Sequence, residues 1–558
     1  MRRASKIWNQ VSERLDRWDV LILFLIVLGY GIFSFWNLGS MKSPQTFYTF
    51  QDQNDEIIIE LLKGEEYVTH VRYFVGEHPG MYNISISSDG EIYTMLPTES
   101  EKYVFTWNDI EIKERTKYIK IEPVEGGSQI GEIQVYQSQN PILTKVIGTD
   151  ELTDEKDTVP MEISYMNSAY FDEIYFARTA YDYANGLPAY EWVHPPLGKL
   201  IQAIPIYLFG MSPFSFRMVG NISGILLIVV MYCFAKNIFH HRSYALLAAS
   251  FMMFDNFHFA QSRMGTVDTH LVLFILLSYW MMYRYIKLKD EVPLQRKLRT
   301  LFLCGLFISC AIATKWTGLF AGLGLAIIFF IHLYQSYRKK KWDKQGTQTI
   351  IFCCFVFVLL PLCIYIGSYF MFPKVSGHYV DNFSSLIDIT QEVFEYHSSL
   401  KETHPFSSPW YTWPVMARPV WYYANTTGPH YQTISGIGNP LVWWGGIIAL
   451  LVYLICYIKE RKKEIPVCFI AIGCLFFSYI PITRDMFLYH YFPVLPFMML
   501  LLVWLVQKLQ KITKKRAILT TVLLCTILLF IYFYPVSSGA NITQDIAEKR
   551  RWFESWYF

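Results

Sequence analysis

The chain reads as a polytopic α-helical membrane protein of about eleven transmembrane helices, with a β-sandwich inserted after the first. Three observations predict this class. Hydrophobic residues make up 53% of 558 and the mean hydropathy is +0.24, too apolar for a soluble chain of this length. Apolar runs of membrane length recur along the sequence, separated by short basic patches. Between the first run and the second, one stretch alternates β-branched and aromatic residues with polar ones instead. The formal net charge is only +3 and the basic residues sit in those patches, which gives no basis for a nucleic-acid partner.

Residues 1–44 hold the basic start MRRASK and the apolar run 20–38, with no small-residue cleavage site behind it. They predict a retained signal anchor and a cytoplasmic N-terminus. Residues 45–140 predict the extracytoplasmic β-sandwich: IIIELL, YVTHVRYFVG, MYNISISSDG, YVFTW, YIKIEPV and GEIQVYQ read as strands parted by Gly, Asp and Pro turns. Residues 141–215 form an outer loop. Its apolar segment 197–210 is short and carries Lys199 and Gln202, which suits an interfacial helix better than a span.

Spans are expected at 216–239, 244–259, 270–286, 301–314, 318–334 and 349–372, a transmembrane core over 216–372. An outer loop covers 373–440, spans follow at 441–458, 465–482, 487–506 and 518–534, and 535–558 is an outer tail. If 197–210 does not cross, the basic segments His240-His241-Arg242, 284–299, Arg338-Lys339-Lys340-Lys341, 459–463 and 508–516 all fall on one side. That side is the cytoplasm. The ten cysteines lie in or beside apolar runs without CxxC spacing and read as small core residues, not as disulfide or zinc ligands.

With that topology, seven polar stretches gather at the outer ends of the spans. They carry Asp172 and Glu173, His194 and Lys199, Arg217, Arg263 with Asp268, Lys315 with Trp316, the loop THPFSSPWYTWPVMARP, and TRDMFLYHY with Arg484 and His490. A carboxylate there can deprotonate a hydroxyl nucleophile, and fixed cations can hold a phosphate as it leaves. Lys199, Arg217, Arg263 and Lys315 supply the cations, so the implied substrate is a sugar on a polyprenyl phosphate whose tail lies in the bilayer. No GxxxxGK[ST] or GxGxxG run is present to cradle a nucleotide.

FDEIYFARTAYDY with HPPLGKL, FRMVG, FDNFHFAQSRMGTVD, TKWTGLF and HPFSSPWYTWPVMARPVWYY together resemble the protein O-mannosyltransferases, the bacterial branch in particular, in the GT-C class. The inserted strands, with SSDG, YIKIEPV and IGEIQVY, resemble a galactose-binding, discoidin-type jelly roll, a fold that often binds glycans. The first resemblance implies an inverting transfer of mannose from polyprenyl-phosphate-mannose to Ser or Thr hydroxyls of exported proteins at the plasma membrane. It also implies Asp172 as the base with Glu173 beside it, and His194, Lys199 and Arg217 at the site and the phosphate. Asp268, Lys315 and Trp316 complete the site, and His404, Trp410 and Arg418 lie in a loop over it.

Other readings compete. Asp172 and Glu173 also suit the first turn of a following helix, Lys199 also reads as snorkelling to the interface, and Arg484 and His490 as members of an aromatic belt. Asp172, Glu173, His194 and Asp268 are the residues that would meet around a divalent cation, but with so many cations available for phosphate no obligatory metal is expected. A GT-C transferase acting on a lipid or wall polymer, or a transporter of lipid-linked sugar, is the alternative; a transporter is expected to place charges near the midplane or show inverted repeats.

Overall fold

The computed structural model describes residues 15–97, 99–100, 103–338, 344–400, 404–460, 466–515 and 517–558. The basic start MRRASK, Lys339 to Lys341, residues 461–463, Thr403 and Arg516 lie outside these described residues. Among the described residues, eight helices are long and apolar enough to cross a membrane: Arg17–Phe35, Pro213–Phe239, Leu294–Thr314, Thr317–Arg338, Lys344–Met371, Pro440–Lys459, Leu495–Thr513 and Ala517–Ser537. The other three expected spans take different forms. Residues 270–286 fall in the Asp268–Ile286 helix, which carries Asp268 and Arg284, and 465–482 yields only the 12-residue helix Pro466–Phe477.

The run 244–259 is broken into Arg242–Met253 and Asn256–Ser262. Asp255 makes the break. Its Oδ1 accepts from the His258 amide at 2.9 Å and caps the second helix, while Oδ2 accepts from Asn439 N and Trp443 Nε1, each at 2.9 Å. The segment read as interfacial is the helix Leu197–Phe209.

The chain divides into two compact units. One consists of Met1–Trp36, Glu191–Ile201 and Val219–Phe558, and its described residues are mainly helical. At the start of its first helix Asp16 and Asp19 form a capping box. Buried Asp19 also accepts from Tyr232 at 2.7 Å, Arg242 at 3.1 Å and Lys236 at 3.2 Å, so part of the basic patch after Phe239 is tied to this helix. The Asp268–Ile286 helix packs on Leu294–Thr314, and Pro440–Glu460 on Leu495–Thr513. In Lys344–Met371 the residues Phe355–Leu359 form a π-turn just ahead of Pro361, whose ring would clash with an α-helical carbonyl one turn back. The C-terminal segment folds onto the hairpin Val420–Thr427 and His430–Gly436 through Tyr431 and Ile542, and buried Trp556 donates to Met416 O at 2.7 Å.

The other unit, Asn37–Tyr190 with Gln202–Met218, holds the β-sandwich. Its strands are β1 (Tyr48–Thr49), β2 (Ile57–Leu61), β3 (Glu66–Val75), β4 (Met81–Ser87), β5 (Thr94–Met95), β6 (Glu99–Ser100), β7 (Thr106–Thr116), β8 (Tyr118–Pro123), β9 (Gln129–Gln137), β10 (Asn140–Pro141) and β11 (Thr144–Ile147). One antiparallel sheet runs β1-β9-β3-β7 with β10 on β9, the other β11-β2-β8-β4-β5 with β6 on β4. Alternation drives the burial: Ile57, Ile59 and Leu61 of β2 point inward with Ile119 and Ile121 of β8, against Val71, Tyr73, Ile133 and Val135.

Two details of the strand reading change. The YVFTW assignment touches only the first residues of β7, which continues through NDIEIKERT because its inward positions Ile110 and Ile112 alternate with charged ones. The sandwich also runs past residue 140, since β11 pairs with β2 from Thr144↔Leu61 to Ile147↔Ile58.

Candidate active site

The sandwich unit places the acidic pair. Phe171 has φ +50, a left-handed backbone that costs a bulky residue about 1–3 kcal/mol. This kink delivers Asp172 as the N-cap of the helix Glu173–Asn185, with its carbonyl accepting the Tyr175 and Phe176 amides, each at 3.1 Å. The Asp172 carboxylate makes no capping hydrogen bond to the helix.

Glu173 behaves differently. It is fully buried and takes the Arg217 guanidinium in a two-pronged pair, with Nε to Oε1 and Nη2 to Oε2 both at 2.7 Å. The remaining Arg217 donors go to the carbonyls of Leu38 (3.0 Å), Tyr165 (2.6 Å) and Ser168 (3.0 Å), and the guanidinium lies over the Tyr170 ring. Two expectations are corrected here. All five guanidinium donors are spent inside the protein, so Arg217 is a strut and not a phosphate ligand, and Glu173 is its counterion and not a second chemical group.

The helical unit gathers the cations. Lys199 is fully buried and donates to Glu191 O at 2.6 Å, to a Glu191 carboxylate oxygen, and to His194 O at 2.9 Å. Its three protons are therefore used, and the Lys199 assignment to phosphate is corrected for the same reason as Arg217. Glu191 also meets His194 Nδ1 at 2.8 Å. Burial alone would raise the Glu191 carboxyl, but Lys199 and then His194 hold it down at about 2. Burial lowers His194 against the pull of Glu191. Arg263 donates to the carbonyls of Ser34 at 3.1 Å and Trp36 at 2.8 Å and stacks over Phe259, so it secures the end of the first helix.

Lys315 ends the Leu294–Thr314 helix, pairs with Asp268 at 3.0 Å and lies over the Tyr489 ring. His397 joins the group: its ring is 5.5 Å from His194 and 6.1 Å from Trp316, and its Nε2 is 2.9 Å from Val193 O. Burial, then the neighbouring His194 and the charges of Arg484 and Lys315, bring His397 down to about 4. His490 stacks on Trp413 at 5.9 Å and is lowered by burial, Lys315 and Arg484. Three neutral imidazoles thus sit in the field of Lys315 and Arg484. Among the described residues Arg484 has no carboxylate or carbonyl partner, which sets it apart from Lys199, Arg217, Arg263 and Lys315.

The loop after residue 403 is tied down through its backbone. His404 N donates to Asp485 at 2.7 Å, Arg418 donates to Pro405 O at 2.6 Å, and Trp410 packs edge-on against Phe476. Arg418 is therefore a brace for the loop. Among the described residues no three His, Cys, Asp or Glu side chains group as metal ligands. The set considered for a divalent cation does not fit one: Glu173 is bound to Arg217, His194 to Glu191 and Asp268 to Lys315.

Residues 200–372 match the family described as dolichyl-phosphate-mannose-protein mannosyltransferase, and residues 382–556 match the C-terminal four-transmembrane region of protein O-mannosyltransferase. The chain belongs to the protein O-mannosyltransferase family. It is 24% identical over 65% of its length to the polyprenol-phosphate-mannose–protein mannosyltransferase of Corynebacterium glutamicum, covering 81% of that protein. The Mycobacterium tuberculosis protein of the same name is 23% identical over 69% of the chain and is covered for 86% of its length. In structure the chain is similar to the Saccharomyces cerevisiae Pmt1–Pmt2 complex bound to the sugar donor, with a TM-score of 0.62 and 14% identity over 70% of this chain and 89% of that one. The fold is that of a GT-C membrane glycosyltransferase, multi-pass in the membrane.

Sequence reasoning missed Glu191, His397 and Trp413. Glu191 had a signal, since it stands three residues before His194 and eight before Lys199 in EWVHPPLGK. His397 had none, because it lies in the amphipathic helix Phe383–Ser399, far along the chain from its neighbours.

Proposed function

We propose that this protein is an inverting glycosyltransferase that moves mannose from polyprenyl-phosphate-mannose to Ser or Thr hydroxyls of exported proteins. The observation that carries the reading is the ordered match of both family regions, alongside bacterial relatives named for that reaction. In this proposal Asp172 takes the proton of the acceptor hydroxyl as its oxygen attacks the anomeric carbon. The bond from that carbon to the phosphate oxygen breaks, and the polyprenyl phosphate leaves with the electron pair. Arg484, and Lys315 held in place by Asp268, are assigned to the leaving phosphate. His194, His397 and His490 are assigned to its surroundings, ready to gain protons as the anion arrives. No divalent cation is assigned a step, and full activity is expected in EDTA.

The enzyme is placed in the plasma membrane with its N-terminus in the cytoplasm and its sandwich and site outside, where exported proteins and glycans are met. The test is transfer of radiolabelled mannose from the lipid donor to a Ser/Thr-rich exported protein in membranes. Label entering protein in wild type and not in Asp172→Asn supports the proposal. Label that enters only lipid or wall polymer sinks it.

A further inference from the structure

A cavity of about 590 Å³ opens on the sandwich between residues 78–81, which lead from β3 into β4, and residues 124–128, which lead from β8 into β9. That volume is in the range of small-ligand sites. Ser128 lines it with a buried hydroxyl that has no partner among the described residues. Gly127 lines it at φ +93, with nothing within 4 Å of where a Cβ would stand, so main chain is open to the cavity. The half-exposed His78 ring reaches Arg178 of the Glu173–Asn185 helix at 3.4 Å. Arg178, itself nine-tenths buried, stacks over Tyr190 and keeps its Nε without a partner.

This helix links the cavity to the proposed base. Arg178 lies six residues after Asp172, which is about 9 Å of helix rise. With the side chains added, the cavity is on the order of 15 Å from the Asp172 carboxylate, a span that four or five extended residues cover. Open glycine backbone and one spare hydroxyl suit an extended chain's amides, and none of the lining residues offers the aromatic face on which a sugar ring stacks.

We propose that this cavity holds the acceptor polypeptide several residues away from the hydroxyl that receives the sugar. The inference rests on the protein O-mannosyltransferase reading above. It assigns the sandwich a role in choosing acceptors, by reading residues that flank the modified Ser or Thr.

The experiment uses the full-length purified protein, polyprenyl-phosphate-mannose and two acceptor peptides. One is too short to span the distance, about three residues, and the other is about twelve. Met81→Trp and Glu125→Trp fill the cavity from exposed rim positions. They are expected to raise KM for the long peptide roughly tenfold while kcat and the rates with the short peptide stay at wild-type values. Equal kinetics for both peptides in wild type and variants overturn the proposal. A photo-crosslinking group four or five residues from the acceptor Ser gives an independent reading on the wild-type protein. Crosslinks to 78–81 or 124–128 support the proposal, and their absence, or their competition by a free mannose oligosaccharide and not by unlabelled peptide, overturns it. If neither peptide is modified by wild type at all, the transferase reading fails, and the crosslink still decides whether the cavity takes a polypeptide.

Discussion

Asp172 and Glu173 are chemically alike and adjacent, and only their partners separate them. Asp172→Asn is expected to abolish transfer with an unchanged melting temperature. Glu173→Gln leaves the Arg217 guanidinium buried without its counterion, a change that costs about 3–5 kcal/mol, and should appear as a large loss of thermal stability. A Glu173→Gln protein that melts like wild type yet is inactive would return Glu173 to the chemistry. The sequence could point to the pair because two acids at a membrane edge are costly without a purpose. It could not assign their roles, since the partner that claims Glu173 lies 44 positions away. The same limit misassigned Lys199, whose partner Glu191 sits in plain view eight residues upstream but competes with every other acid in the loop. The histidines give a second prediction. An anionic phosphate favours protonated imidazole, so donor binding should raise His397 from about 4 and tighten as pH falls from 8 toward 5. His397→Asn should flatten that dependence of donor KM, and an unchanged slope would remove His397 from the phosphate's surroundings.

Among the elements, long apolar helices were legible and short interrupted ones were not. Hydropathy registers length, so residues 20–38 and 349–372 stand out, whereas the break at Asp255 depends on Asn439 and Trp443 reaching it from a distant helix. Alternation likewise found the sandwich but stopped short in β7, where charged outward positions masked the inward isoleucines. Close packing between elements left one readable trace in Gly198. A Cβ there would stand 2.7 Å from Thr314 Cγ2 and 2.9 Å from Val267 Cγ1, where the Leu197–Phe209 helix meets the ends of two others. Gly198→Ala must push those branched side chains aside and should destabilise by about 1–3 kcal/mol. Pairing it with Thr314→Ser, which removes the methyl that clashes most closely, should recover part of the loss. If Gly198→Ala melts at the wild-type temperature, the close approach at this crossing is not a constraint.

At the scale of the whole molecule, stability should carry the imprint of one buried acid pair. Asp182, fully buried in the Glu173–Asn185 helix, stands beside Glu77, two residues past β3, and accepts the Tyr190 amide at 2.8 Å. Burial, followed by the charge and hydrogen bond of Glu77, raises its carboxyl to about 8, with Arg178 opposing. The sign follows from proton counting. Between the unfolded value near 4 and the folded value near 8 the native state holds a proton that the unfolded chain has released. Stability is therefore greatest below pH 4 as far as this group is concerned, declines on the order of 1 kcal/mol per pH unit through that window, and levels above it. Arg178 is the cationic group that faces the pair, and it favours the ionised form without cancelling the trend. Asp182→Asn keeps a neutral group of the same shape at all pH values. Thermal melts of the full-length protein from pH 5 to pH 8 should show wild type falling relative to Asp182→Asn, with the gap shifting steadily in favour of the variant as pH rises. Parallel melting curves across that range would mean that Asp182 is ionised in the folded protein and that the pair does not share a proton.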